Sequence, residues 1–482
     1  VVTAAASAAE RIRAWRDQLR ELIGPEAVLT LPSDLAPLEV DHRALYRGRA
    51  LAAAQPRSVD EVARLVVWCR ERRIGIVPQG GNTGYCGGAT PDGSGQQLLL
   101  LLRRLNRIRE LDAANFSLTA EAGCVLAAVQ QAAAAADRYF PLSLGSEGSC
   151  QIGGNLATNA GGLNVLRFGM ARDLVLGIEA VLPDGSVMHG LKSLRKDNTG
   201  YDLKGLLVGS EGTLGVITAA TLRLWPAMRS TATAFVGLPG PADALELLTL
   251  LRARSGERLS SFELLPRIAI ELTTRHLEGV TDPLDAAWPW YVLCELSSST
   301  DEPLSDLLEQ ALVQATERGL SADAAFATSE RVRGAFWRLR EGVPEAQRRA
   351  GPSLKHDIAI PVAALPRFIA EASLWVREHC PEGVLVCYGH AGDGNLHFNV
   401  NAIDGSFDGP GARALLAREQ DLRRAIHDLV ARYGGSFSAE HGIGQLKRGE
   451  LVRYADPATL AAMRALKQAL DPEGIMNPGK VL

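Results

Sequence analysis

Gln79-Gly80-Gly81-Asn82-Thr83-Gly84-Tyr85-Cys86-Gly87-Gly88 follows a short apolar strand at residues 74–77, and its reading decides the fold of the first half of the chain. The glycines expose backbone N–H groups with few bulky side chains in the way, which is the composition of a phosphate cradle. The loop lacks the GK[ST] ending of a nucleoside-triphosphate loop. No segment after a strand satisfies the dinucleotide fingerprint, which argues against a nicotinamide Rossmann site. Two further clusters ask for the same explanation. One is Gly145-Ser146-Glu147-Gly148-Ser149-Cys150-Gln151-Ile152-Gly153-Gly154-Asn155, continuing through Thr158-Asn159-Ala160-Gly161-Gly162; the other is Gly209-Ser210-Glu211-Gly212-Thr213-Leu214-Gly215. Any one of them could be a set of tight turns. Three together, interleaved with small hydroxyl and amide side chains, fit one extended phosphate-bearing ligand better.

Around these loops the pattern alternates: a helix at residues 59–72, a strand at 97–102, a helix at 126–137, and a close of the region at Trp225-Pro226. Strand alternation resumes at 231–236, followed by helices at 242–253, 304–318 and 329–340, in α+β style. The tail is helical over 456–470 and ends in the turn-rich Asp471-Pro472-Glu473-Gly474-Ile475-Met476-Asn477-Pro478-Gly479, which ought to be pinned down. The expected division is 1–227, 228–430 and a C-terminal segment 431–482 that completes the site and packs on the first domain.

The 482 residues are 46% apolar, enough for two or three proper cores. A net charge of −4 argues against nucleic acid as a partner. The seven cysteines are odd in number and show no CxxC spacing, which fits a reducing compartment. Cytoplasm is the expectation, with peripheral membrane association left open. No run of 18 apolar residues predicts a transmembrane segment, and residues 1–23 read as an amphipathic surface helix without a signal-peptide pattern.

The chemistry concentrates near the C-terminal end. In Gly389-His390-Ala391-Gly392-Asp393-Gly394-Asn395-Leu396-His397-Phe398-Asn399, Asp393-Gly394 offers a two-residue hairpin turn. Counting outward, His390 would face His397 with Cβ atoms roughly 4.5–5.5 Å apart, and Asn399 would point the same way as His397. In Ser438-Ala439-Glu440-His441-Gly442-Ile443-Gly444 the carboxylate and imidazole would face apart in a regular strand; the glycines suggest irregular backbone that lets them converge. Paired histidines alone are more often packing residues. With Glu440, however, His390 and His397 make a His, His, Glu set that leaves an open position on zinc, and manganese suits the same donors. His441 then remains as a base.

The glycine loops, with Arg195-Lys196-Asp197-Asn198-Thr199-Gly200-Tyr201-Asp202-Leu203 between them, resemble the FAD domain of the vanillyl-alcohol oxidase superfamily. The segments at 389–397 and 440–444 resemble its FAD-linked D-2-hydroxyacid dehydrogenase branch, and the match runs from about Pro56 to Leu482. The resemblance implies an α+β fold: a two-subdomain FAD-binding domain of the PCMH type, an α+β substrate (cap) domain and a C-terminal segment. It implies FAD as cofactor, noncovalent because no histidine lies between Gln79 and Pro91. It assigns Pro78, Gln79, Gly80, Gly81, Asn82, Thr83, Gly84 and Gly88 to the pyrophosphate. The isoalloxazine and ribityl chain fall to Gly145, Ser146, Gly148, Ser149, Ile152, Gly153, Gly154, Asn155, Thr158, Asn159, Gly161 and Gly162. Glu211, Gly215 and Ile217 fall near the adenosine end, with Asn477 returning from the C-terminus.

Arg340 and Lys355 match the family's substrate-binding cations, with Asn399 as a further hydrogen bond. One departure is Pro344, where members specific for 2-hydroxyglutarate often place a threonine. The implied reaction is oxidation of D-2-hydroxyglutarate to 2-oxoglutarate, with the hydride going to flavin N5, His441 as base, and Zn²⁺ (Mn²⁺ the alternative) on His390, His397 and Glu440. D-lactate is the alternative substrate; a non-redox zinc hydrolase is the reading from a different class. Electron-transfer flavoprotein, quinone or a cytochrome would be the acceptor, and a homodimer is left open.

Overall fold

The computed structural model describes residues 2–321, 323–402 and 406–482, which fall into two compact units. The first comprises Val1–Gly162, Met170–Ala227 and Glu440–Leu482; the second comprises Leu163–Gly169 and Met228–Ala439. No described helix is long and apolar enough to cross a membrane. All seven cysteines are buried free thiols.

The first unit holds two sheets. The smaller runs Val28–Leu29, Ala50–Ala54, Gln97–Leu101, Ile76–Gln79, the last three parallel. Ala50–Ala54 and Gln97–Leu101 are buried at every residue, as the inner strands of a covered parallel sheet must be. The strand expected at 74–77 forms two residues later. The helix Val59–Arg72 crosses over between Ala50–Ala54 and Ile76–Gln79. Ser58 Oγ accepts the Glu61 N–H at its start (3.2 Å), and Arg73 ends it in the left-handed conformation. Its Val62, Leu65, Val66 and Cys69 join Leu98, Leu100 and Ile76 in one core. The larger sheet is antiparallel throughout, in the order Ile108–Asp112, Ser117–Glu121, Val216–Arg223, Val175–Val181, Val187–Gly190. The C-terminal tail is pinned to the first sheet: Ile76 N–H donates to Ile475 O (2.7 Å) and Asn477 N–H to Ile76 O (2.8 Å).

The second unit is built on the antiparallel sheet Leu259–Pro266, Trp290–Ser298, Ser230–Leu238, Asp323–Phe326. Both of its faces are covered, and the strand period of two sorts the side chains. Ala234, Val236, Phe262, Leu264, Val292 and Cys294 pack toward helices Pro241–Ser255, Leu304–Glu317 and Leu365–His379. Phe235, Leu265, Tyr291 and Leu293 pack toward Arg267–His276 and Glu330–Ala350. The last helix, expected to stop at 340, runs on through Pro344, because Phe336, Leu339, Val343, Ala346 and Ala350 keep an apolar stripe at helical spacing. A second sheet has Asn395–Ala402 flanked by Gly383–Tyr388 on one edge and by Ser353–Leu354 and Asp357–Ala359 on the other.

Candidate active site

In the first unit the three glycine loops converge on one open cavity. Its first wall leaves the carboxyl end of the parallel strand Ile76–Gln79, the usual side for ligands in such sheets. Pro78 through Gly84 and Gly88 line it, with Gly153, Gly154, Asn155, Thr158, Glu211, Gly215 and Ile217. Gly145, Ser146, Gly148, Ser149, Ile152, Asn159, Gly161, Gly162 and Asn477 do not. Gln151, Ser210 and Gly212 of the same loops do.

Close backbone approach explains one glycine: a Cβ at Gly81 would lie 2.2 Å from Ser149 O. At Gly84 and Gly154 a Cβ would meet nothing within 4 Å, so these face open space. Gln151 Oε1 on the wall is buried without a hydrogen-bond partner, the mark of a polar group awaiting a polar ligand. The cradle and this orphaned oxygen fit FAD.

His441 also lines this cavity, its ring edge-on to Tyr85 at 4.7 Å. The segment that carries it is clamped by Glu211, whose carboxylate accepts the N–H groups of Ile443 (2.6 Å) and Gly444 (2.8 Å). Burial pushes the Glu211 carboxyl above its ordinary range, against the pull of those two N–H groups. Asn477 Nδ2 ties the same region together by donating to Gly88 O (2.9 Å) and Glu211 O (2.8 Å).

Glu440 and His441 do converge, with a carboxylate oxygen and a ring nitrogen within 4.8 Å of one another. The irregular backbone anticipated at Gly442 and Gly444 is present, with φ of +72° and +51°. Glu440 Oε1 accepts the Gly162 N–H at 2.6 Å, and a Cβ at Gly161 would lie 2.6 Å from that oxygen. Gly161 and Gly162 thus seat the Glu440 carboxylate.

In the second unit, His390 and His397 present ring nitrogens within 4.8 Å of one another, centroids 5.6 Å apart. They reach this by a different route from the expected hairpin. Tyr388 is the residue paired with His397, and the strands are joined by residues 389–394 rather than by Asp393-Gly394 alone. Gly389 leaves the hairpin ladder because Leu264 captures it, with Leu264 N–H to Gly389 O at 2.9 Å and Gly389 N–H to Leu264 O at 3.0 Å. Its φ is +151° and a Cβ would lie 2.6 Å from Asn395 O, so glycine is required.

That capture places Glu263 against His390: Glu263 Oε1 lies 2.7 Å from His390 Nδ1, and Oε2 accepts Arg340 Nε–H at 2.7 Å. All three are buried. Burial alone would raise the Glu263 carboxyl, but the charges and hydrogen bonds of His390 and Arg340 outweigh it and hold it at about 2. Glu263 was missed from sequence. Its only signal is an acid in the middle of the apolar run Phe262-Glu263-Leu264-Leu265.

The expected substrate residues are all in this unit. Arg340 is 4% exposed and lies over the Tyr388 ring at 5.0 Å. Its Nη2 is 2.7 Å from Glu263 Oε2 yet not aligned to donate, so it makes no hydrogen bond. Lys355 is exposed. Asn399 points inward: Nδ2 donates to Gln347 Oε1 (3.0 Å) and Oδ1 accepts the His356 N–H (3.2 Å), so its amide is engaged on both sides.

Two family models match the chain. A family described as FAD linked oxidases, C-terminal domain, matches residues 227–481, and one described as FAD binding domain matches 50–190. The mitochondrial D-2-hydroxyglutarate dehydrogenase of Bos taurus is 41% identical over 462 residues, 96% of this chain and 82% of the relative. The D-2-hydroxyglutarate dehydrogenase of Xanthomonas citri is 34% identical over 463 residues, 96% of each. The crystal structure of p-cresol methylhydroxylase with substrate bound matches with a TM-score of 0.77 over 97% of this chain and 96% of that one. At 17% identity this is a likeness of fold, that of the PCMH type.

Proposed function

The chain belongs to the FAD-linked oxidase family and is an FAD-dependent D-2-hydroxyacid dehydrogenase, and on that premise we propose that its substrate is D-2-hydroxyglutarate, oxidised to 2-oxoglutarate. The observation that carries the reading is His441 on the wall of the cavity made by the three glycine loops. When bound, FAD supplies the two-electron acceptor for the substrate's Cα hydride. His441 accepts the hydroxyl proton on a ring nitrogen, a transfer suited to imidazole near neutral pH. Glu211 holds that residue's segment in place through Ile443 and Gly444.

His390, His397 and Glu440 would hold Zn²⁺ or Mn²⁺, which would supply Lewis acidity toward the substrate hydroxyl. The donor set suits either ion. Arg340, with its planar fork, and Lys355, a mobile point charge, would neutralise the substrate carboxylates. The family membership displaces the non-redox hydrolase reading. A second reading, D-lactate as the better substrate, is favoured by Pro344, which offers no side-chain donor one turn beyond Arg340.

Anaerobic bleaching of the visible flavin band by D-2-hydroxyglutarate, D-lactate and D-malate, with and without chelator, tests all of this. Fast, chelator-sensitive bleaching by D-2-hydroxyglutarate is expected. Bleaching by D-lactate alone would move the substrate to the second reading, and chelator-insensitive bleaching would remove the metal.

A further inference from the structure

Glu263 sits on a strand whose neighbours are apolar, at a place where a carboxylate costs several kcal/mol unless paired. What it pairs with is set by backbone register. The two hydrogen bonds between Leu264 and Gly389 make an antiparallel bridge, and in such a bridge the residue before one partner lies opposite the residue after the other. Glu263 therefore faces His390. Glu263 also shares its strand face with Leu265, which packs toward the helix Glu330–Ala350, and Arg340 of that helix takes the second carboxylate oxygen. One buried carboxylate thus grips two residues of the site, one with each oxygen.

The chemistry of that grip is directional. Arg340 is permanently charged, so the carboxylate beside it is ionised and can only accept hydrogen bonds. At 2.7 Å from that oxygen, His390 Nδ1 must be the donor. A neutral imidazole with its hydrogen on Nδ1 carries its lone pair on Nε2. We propose that Glu263 is a positioning residue that locks His390 in the Nδ1–H tautomer, so that Nε2 is the ligand atom, and that it ties this ligand mechanically to Arg340. The consequence for metal binding rests on the assignment of His390 as a ligand made above; the tautomer lock does not.

The test is two-armed. In the metal-free full-length protein, ¹⁵N imidazole shifts followed upward in pH until the His390 ring is neutral, with its signals identified by their loss in His390→Asn, should show a single Nδ1–H tautomer. An Nε2–H tautomer or an equal mixture in the wild-type protein would overturn the proposal without any variant having to fold. Glu263→Gln keeps the size and an acceptor oxygen but removes the charge that forces the direction. Its His390 should become a tautomer mixture and its Zn²⁺ affinity, by competition with a chromophoric chelator, should fall about 10–100-fold. Wild-type affinity and an unchanged tautomer in a folded Glu263→Gln protein would overturn it. A wild-type protein that binds no Zn²⁺ yet shows the locked tautomer would defeat the metal assignment and leave the lock supported.

Discussion

Replacing Gly161 by alanine should detach Glu440 from its seat while leaving the FAD cavity intact. The added methyl would lie 2.6 Å from Glu440 Oε1, 3.2 Å from Cγ and 3.3 Å from Cδ, too close for any of them. The obstructed atoms are the end of a flexible side chain, so the carboxylate swings away instead of the backbone moving. The Gly162 N–H bond to Oε1 at 2.6 Å is then lost. A hydrogen bond to a charged group contributes about 1.5–3 kcal/mol. Against this, Gly161 is not one of the left-handed glycines, so alanine gains about 0.4–1 kcal/mol by restricting the unfolded chain. The net is a loss of about 0.5–2.5 kcal/mol, which leaves the protein folded. The functional effect should be larger in proportion, because a proposed metal ligand has lost its support: about 10–100-fold in Zn²⁺ affinity. The assay is Zn²⁺ competition against a chromophoric chelator, with the visible flavin spectrum as control. That spectrum should be unchanged, since Gly161 does not line the cavity. Wild-type Zn²⁺ affinity together with wild-type turnover would refute the argument that this glycine exists to seat Glu440.

His441→Asn should retain the yellow flavin and lose about 10²–10⁴-fold in the rate of flavin reduction by substrate; a wild-type rate would remove His441 as the base. Gly81→Ala should abolish FAD retention, because its Cβ would lie 2.2 Å from a backbone oxygen that cannot swing aside; a fully loaded, wild-type flavin spectrum would contradict this. Arg340→Ala leaves Glu263 buried without its cation and should destabilise by about 3–5 kcal/mol, whereas Arg340→Lys should be milder; denaturant midpoints compare them. Glu263, held at about 2 against an ordinary 4.5, contributes stability that is fully present above pH 4.5 and is lost as pH falls toward 2. Acid unfolding of the metal-free protein should therefore shift in Glu263→Gln, and an unshifted acid transition would show that the pair contributes nothing.

Much of this was legible in the sequence because it is local. Helix periodicity depends on residues a few positions apart, which is why the helix expected at 59–72 matches Val59–Arg72 of the structure. The three glycine loops announced a large phosphate-bearing ligand by composition alone, and the family resemblance supplied FAD. The helix expected at 329–340 runs on to Ala350 through Pro344, because the apolar stripe overrides through packing the local rule that proline ends a helix.

The sequence by itself determined which residues could do chemistry: His390, His397, Glu440 and His441 stand out by type and spacing. Tertiary structure alone decided how they are held. The pairing of His390 with Glu263 spans 127 positions and follows from one pair of backbone hydrogen bonds between Leu264 and Gly389. The seating of Glu440 on Gly162 spans 278 positions and depends on the absence of a Cβ at Gly161. A glycine or an isolated acid in a string of letters carries no record of what approaches it. Strand register and close backbone approach are properties of chain segments brought together only by folding, and these turned a list of reactive residues into donors and acceptors with directions.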